Sequence, residues 1–265
     1  MGADPFNALA CVDGELMPAE RAMVPATDDG LLRGDGVFEV VRVYAGRPFA
    51  LDEHLLRLER SASSLRLPVD LAAVGVDAAR ILEAAGAMEG SLRIVLTRGG
   101  RRILLTEPLA PFAPTTRLAS VTFGPTRVLD GIKSLSYAGN MLATRLAQER
   151  GYDEALLVTP HGRVLEAPTS SLFYVVDGQV RTPPLDDHIL ASITRAAVLQ
   201  LTGGVEHPCA LADLAGAEEA FLASTTREVQ AVTAIDGMSF RDDGPVMAEL
   251  RSGFRDHVAG VLAAG

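Results

Sequence analysis

Lys133 is the only lysine in a chain of 265 residues that contains 23 arginines. It lies in the stretch DGIKSLSYAGN, residues 130–140. A codon-driven bias toward Ala, Arg, Leu and Gly explains why lysine is scarce, but not why this one remains. Arginine replaces lysine wherever a positive charge is enough. It fails where a neutral amine must attack a carbonyl, because the guanidinium stays protonated in proteins. A drift from lysine to arginine therefore spares a Schiff-base lysine. The alternative is a surface charge that survived by chance.

A lysine that serves pyridoxal phosphate (PLP) needs three companions: an acid for the pyridine nitrogen, an anion cup for the phosphate, and donors around the phenolic oxygen. Glu166, in GRVLEAPTSSLFYV, is flanked by apolar and small residues. A carboxylate there is expected to be buried, and a buried carboxylate needs a cationic or N–H partner. It also reads as a turn glutamate between two strands. For the phosphate, Arg57 in DEHLLRLERSA offers a bidentate guanidinium. LASITR, residues 190–195, opens a helix, so the backbone N–H groups of Ile193 and Thr194 point at an anion. ASTTREV, residues 223–229, follows a strand and offers the hydroxyls of Thr225 and Thr226. Taken singly, Arg57 also reads as a solvated helix charge, and Ser192 or Thr194 as an N-cap.

The elements that must position these residues are mixed. VFEVVRVYAGRPFAL alternates around a Gly-containing turn, as a hairpin does. The spacing of Leu55, Leu58, Ala62 and Leu65 predicts a helix with Asp52 as its N-cap. DLAAVGVDAARILEAAGA predicts a second helix, and LRIVLTRGGRRILLTEPLA a strand pair. PLAPFAPTT, residues 108–116, is Pro-rich and weakly periodic, as a linker is. RLASVTFGP reads as a strand and NMLATRLAQERG as a helix. Residues 154–184 read as short strands with turns at His161-Gly162 and Asp177-Gly178, and SITRAAVLQLTGG as a helix stopped by glycines. The reading is two α/β domains with largely antiparallel sheet: a small domain 1–110, a linker 111–117 and a large cofactor-binding domain 118–265. No G-x-G-x-x-G opens a βαβ unit, which argues against a dinucleotide fold.

Bulk properties narrow the function classes. Net charge is −10 and the pI is about 5.0, so no basic face is expected for nucleic acid or an anionic membrane. Cys11 and Cys209 make neither a disulfide framework nor a metal set. The chain shows no run of 18 apolar residues, and a cytoplasmic enzyme is expected. The opening MGADPFN resembles a cloning remnant and carries no weight.

Six stretches together resemble the class IV, or fold-type IV, PLP-dependent enzymes: RGDGVFEVVRVY, EHLLRLERSA, IKSLSYAGN, GRVLEAPTSSLFYV, ILASITR and STTREV. That group holds branched-chain and D-amino-acid aminotransferases and aminodeoxychorismate lyases. The resemblance implies a small α/β domain plus a larger domain with a pseudo-barrel sheet. It also implies a homodimer, with the Asp28–Arg33 loop leaning toward the partner's site. Lys133 would be the Schiff-base lysine and proton carrier, and Glu166 the partner of the pyridine nitrogen. Arg57, Ile193, Thr194, Ser224 and Thr225 would hold the phosphate, Leu190 would pack near the ring, and Tyr137 would donate to the phenolic oxygen. No metal is implied.

The subgroup rests on less. VFEVVRVY and PTSSLFYV resemble transaminases, which move an amino group between an amino acid and a 2-keto acid. KSLSYAGNM resembles aminodeoxychorismate lyases, which release pyruvate and 4-aminobenzoate, and this is the alternative. A lapsed cofactor-binding scaffold is a third reading, opposed by the intact Lys133, Glu166 and Arg57. The loop TRGGRRILLTEPL has no Arg-x-His pair for a substrate carboxylate. The candidates for that role are Arg101, Arg102, Arg42 and the turn at Ser224–Thr226, though Arg101 and Arg102 also read as solvated turn charges.

Overall fold

A computed structural model describes residues 8–264. Met1–Asn7, the suspected remnant, lies outside them. The chain divides into two compact units. The first holds the chain up to Ala110, Ile132–Ser136, and the end from Val261. The second holds Pro111–Gly131 and Tyr137–Gly260.

In the first unit the strands are β1 (Leu9–Val12), β2 (Glu15–Pro18), β3 (Gly36–Tyr44), β4 (Arg47–Pro48), β5 (Gly90–Thr97) and β6 (Arg102–Glu107). They form one antiparallel sheet in the order β2-β1-β6-β5-β3-β4. The helices are α1 (Asp29–Arg33), α2 (Leu51–Ser64) and α3 (Leu71–Ala85). Side chains alternate along a strand. Val37, Val41 and Val43 of β3 therefore join Leu92, Ile94 and Leu96 of β5 in one core, closed by Leu58 and Ala62 of α2 and Val74, Ala78 and Ile81 of α3. Asp70 caps α3 by accepting from the Ala73 N–H at 3.0 Å. The expected cap Asp52 is inside α2 instead. That helix starts two residues earlier than such a cap would set it, after Ala50 in the left-handed region at φ 53°, and Asp52 places its charge in the first turn, where a carboxylate is favoured.

The second unit contains β7 (Thr115–Thr122), β8 (Glu154–Val158), β9 (Ser171–Val176), β10 (Gln179–Thr182), β11 (Val205–Glu206), β12 (Glu219–Ser224), β13 (Glu228–Ile235) and β14 (Met238–Ser239). The helices are α4 (Ala138–Glu149), α5 (Ile193–Thr202) and α6 (Pro245–Ala264), whose last residues, from Val261, count with the first unit. The sheet order is β11-β10-β9-β12-β13-β7-β8, with β14 on β13. It is mixed, because β10–β11, β13–β7 and β7–β8 run parallel, and it curls as the pseudo-barrel reading expects. α4 closes the β7–β8 crossover through the small buried residues Ala143 and Ala147, which pack with Ala119, Ala155 and Leu157. Glu219 of β12 accepts from the Val246 and Met247 N–H groups, satisfying the start of α6.

Two boundaries differ from the sequence reading. β7 begins at Thr115, inside the expected linker. Residues 132–136 belong to the first unit, because they pair with β3: the Phe38 N–H donates to the Lys133 carbonyl at 3.0 Å, and the Leu135 N–H to the Gly36 carbonyl at 2.9 Å. Gly36 permits this close approach. A Cβ there would stand 2.4 Å from the Leu96 carbonyl oxygen and 2.6 Å from Leu135 Cδ1. Gly36→Ala is therefore expected to destabilise the protein by about 1–3 kcal/mol, as overpacking against backbone does. Thermal denaturation checks this, and an unchanged Tm would show that the strand edge yields.

Candidate active site

Lys133 is held by its backbone on both sides. Its carbonyl accepts from Phe38 of β3, and its N–H donates to Ser61 Oγ of α2 at 3.2 Å. The half-buried side chain places Nζ 4.5 Å from the centroid of the Phe38 ring.

α2 presents one polar stripe toward this region. His54, Arg57 and Ser61 recur at helical spacing and are all buried. Arg57 meets Glu39 of β3 in a bidentate fork, with Nε to Oε1 and Nη2 to Oε2 both at 2.7 Å. His54 Nδ1 lies 2.8 Å from the same Oε2. Glu39 is completely buried. Burial alone would raise its pKa. The hydrogen bonds from Arg57 and then His54 outweigh burial and hold the carboxyl at about 2. Burial lowers the pKa of His54, so the imidazole is neutral and donates from Nδ1 to Glu39. Its Nε2 is buried and has no hydrogen-bond partner among the described residues.

In the second unit, Glu166 is half-buried rather than fully buried. Its Oε1 accepts from the Leu190 N–H at 3.2 Å. Ile193 and Thr194 open α5, and the N-cap is Ser192, whose Oγ takes the Arg195 N–H at 3.2 Å. The first amides of a helix have no acceptor within it, which makes this turn a fit for an anion. Ser224 ends β12, and Thr225 and Thr226 form the turn into β13. Tyr137 is the N-cap residue of α4. Thus Lys133 and Arg57 stand in one unit, while Glu166, Leu190, Ile193, Thr194, Ser224, Thr225 and Tyr137 stand in the other.

The arginines suggested for a substrate carboxylate already serve the protein. Arg42 is buried, donates to the Val43 and Gly90 carbonyls and Glu89, and lies over Tyr44. Arg101 pairs with Asp13, and Arg102 with Asp77. Sequence reading missed Glu39 and His54. The signal was present: Glu39 interrupts an apolar strand run as Glu166 does, and His54 precedes Arg57 by three residues on one helix face.

The Amino-transferase class IV family model matches residues 36–235. A putative branched-chain-amino-acid aminotransferase of Methanocaldococcus jannaschii is 32% identical, covering 92% of this chain and 94% of that protein. A D-alanine aminotransferase of Bacillus licheniformis is 30% identical, covering 88% and 90%. Among solved structures, the 4-amino-4-deoxychorismate lyase of Pseudomonas aeruginosa superposes with a TM-score of 0.82 at 30% identity, covering 94% and 98%. The chain belongs to the class IV aminotransferases. Class IV aminotransferases use PLP, and their substrates are amino and keto acids.

The buried fork has a consequence for stability. Glu39→Gln leaves the Arg57 charge buried without its counter-ion, which costs about 3–5 kcal/mol. The Glu39 pKa is depressed, so its contribution is complete above the unfolded carboxyl value near 4.3 and is lost as pH falls toward about 2. The lowered His54 pKa acts in the same direction, starting below the unfolded imidazole value near 6.5. Denaturant titrations from pH 7 to pH 3 should show the wild type losing more stability than Glu39→Gln. Parallel curves would mean that the fork does not govern acid stability.

Proposed function

We propose that Lys133 is the catalytic lysine of a PLP-dependent transaminase acting on a small amino donor and a 2-keto acid. The carrying observation is the chain's single lysine, held beside β3 by Phe38 and beside α2 by Ser61, the two elements that the Glu39–Arg57 fork joins.

The donor set fits the cofactor. Arg57, the Ile193 and Thr194 amides and the Ser224–Thr225 turn would hold the phosphate. Glu166 would meet the pyridine nitrogen, Leu190 would pack near the ring, and Tyr137 would donate to the phenolic oxygen. PLP supplies an electron sink for the charge left when a Cα proton is removed. Lys133 Nζ, as a neutral amine, is the base that takes this proton and later returns it. Glu166 would accept from the pyridine N–H, and the Leu190 N–H holds one of its oxygens in place.

Arg42, Arg101 and Arg102 each pair with a carboxylate of the chain, as Arg57 does with Glu39, and we assign the substrate carboxylate to the neutral donors around Thr226. Neutral donors bind a carboxylate less tightly than a guanidinium does. This supports broad tolerance, including amines without a carboxylate. A homodimer is proposed as well. Asp28 is buried and caps α1 through the Gly30 N–H, which fixes a short helix carrying the exposed Leu31 and Leu32.

The second reading, an aminodeoxychorismate lyase, is favoured by KSLSYAGNM and by the lyase of similar fold. Both readings use the same residues and differ in what leaves.

The test is an absorbance-monitored half-reaction of the holoenzyme with D- and L-amino acids, simple amines and aminodeoxychorismate. Loss of the visible absorbance with one equivalent of keto acid is the expected result. Pyruvate and 4-aminobenzoate from aminodeoxychorismate alone would make it a lyase. Replacing both Arg101 and Arg102 by Ala should leave the ratio of amino-acid to amine rates within about twofold. A loss of about 10–150-fold for amino acids alone would return the carboxylate to these arginines.

A further inference from the structure

The turn after β12 is braced from behind by a buried charge pair that the proposed chemistry does not use. Ser224 pairs with Glu228, so the hairpin loop is three residues long: Thr225, Thr226 and Arg227. Glu228 follows in the left-handed region at φ 58°, as the residue after such a loop does. A side chain at a hairpin tip normally points to water. The Arg227 side chain is only 5% exposed. Its Nη2 donates to Glu154 Oε2 and its Nη1 to Gln230 Oε1, both at 2.7 Å. Its guanidinium lies 5.0 Å from the centroid of the Phe112 ring. Gln230 in turn donates to the Ala113 carbonyl at 2.6 Å. Glu154, at the start of β8, also accepts from Thr169 Oγ1 at 3.5 Å. One carboxylate therefore ties the residue after Thr226 to a residue three positions beyond Glu166.

Burying such a pair is a poor route to stability, because desolvation offsets the attraction and apolar replacements are often neutral or better. Its geometric effect is specific: it fixes the direction of the loop's backbone and hydroxyl donors. We infer that Glu154 and Arg227 are positioning residues that preorganise the Ser224–Thr226 turn for the cofactor phosphate. This inference rests on the proposed role of that turn.

The test compares wild type, Thr225→Ala and the double variant Glu154→Met/Arg227→Met. The double variant removes both charges and keeps apolar bulk. Three quantities are read: thermal stability of the apoprotein, hydrogen exchange of residues 224–228 without cofactor, and the Kd for PLP by titration. The double variant is expected to melt within a few degrees of wild type. Its turn amides should exchange faster, and its PLP affinity should fall about 10-fold or more, the scale on which partners of ligating groups act. Wild-type affinity in the double variant, with a loss in Thr225→Ala, overturns the brace alone. Wild-type affinity in both overturns the reading of the turn and the brace with it. Should the double variant not fold, Arg227→Lys is titrated instead. It keeps the charge but loses the fork that spans Glu154 and Gln230, and a wild-type Kd would overturn the brace.

Discussion

The bidentate contact between Glu39 and Arg57 is the constraint on which the placement of the Lys133 segment depends. A carboxylate with no solvent exposure stays ionised because a guanidinium meets both its oxygens and His54 adds a further hydrogen bond. The pairing fixes the rotamer of Arg57 and the distance of α2 from β3. Ser61, one turn further along α2, then meets the Lys133 N–H, and Phe38, beside Glu39, meets the Lys133 carbonyl. Strand, helix and lysine segment are thus held in register by polar contacts that would be costly to break separately.

The second unit solves a different problem. The donors proposed for it are mostly neutral: helix amides, hydroxyls and a strand-end turn. Neutral donors must be aimed, because they bind an anion less strongly than a free guanidinium does. α5 aims its amides through the Ser192 cap, Leu190 aims Glu166, and the Arg227–Glu154 pair lies behind the loop. Charge is spent on orientation more than on ligand contact. The arginines of the first unit follow the same pattern, with Arg42, Arg101 and Arg102 each answered by a carboxylate of the chain.

Much of this was legible in the sequence, and what was not has a common cause. The helices with strong periodicity stand where the spacing predicted them, and the lone lysine drew attention through residue chemistry alone. The class IV resemblance and the mixed two-unit fold were readable from six stretches in order. Long-range pairing was not. Lys133 pairs with Phe38 across most of the first unit's sequence, so no local pattern placed residues 132–136 on the edge of β3. Arg101 finds Asp13 and Arg102 finds Asp77, acids that nothing near the loop announces. Glu39 showed in the sequence only as a charge interrupting an apolar strand, and its partners Arg57 and His54 lie on a different element. Asp52 failed as a cap because Ala50 adopts the left-handed region and starts the helix early, a backbone choice that side-chain preference does not reveal.

The account stands on Lys133. Borohydride reduction of the PLP-loaded protein, followed by proteolysis and mass spectrometry, tests it most directly, since the only other primary amine is the N-terminal one. The account predicts one reduced cofactor per chain, on the peptide that carries Lys133, and none on that peptide in Lys133→Ala. A cofactor fixed at the N-terminal amine, or no fixation in a protein that still transaminates, would contradict it.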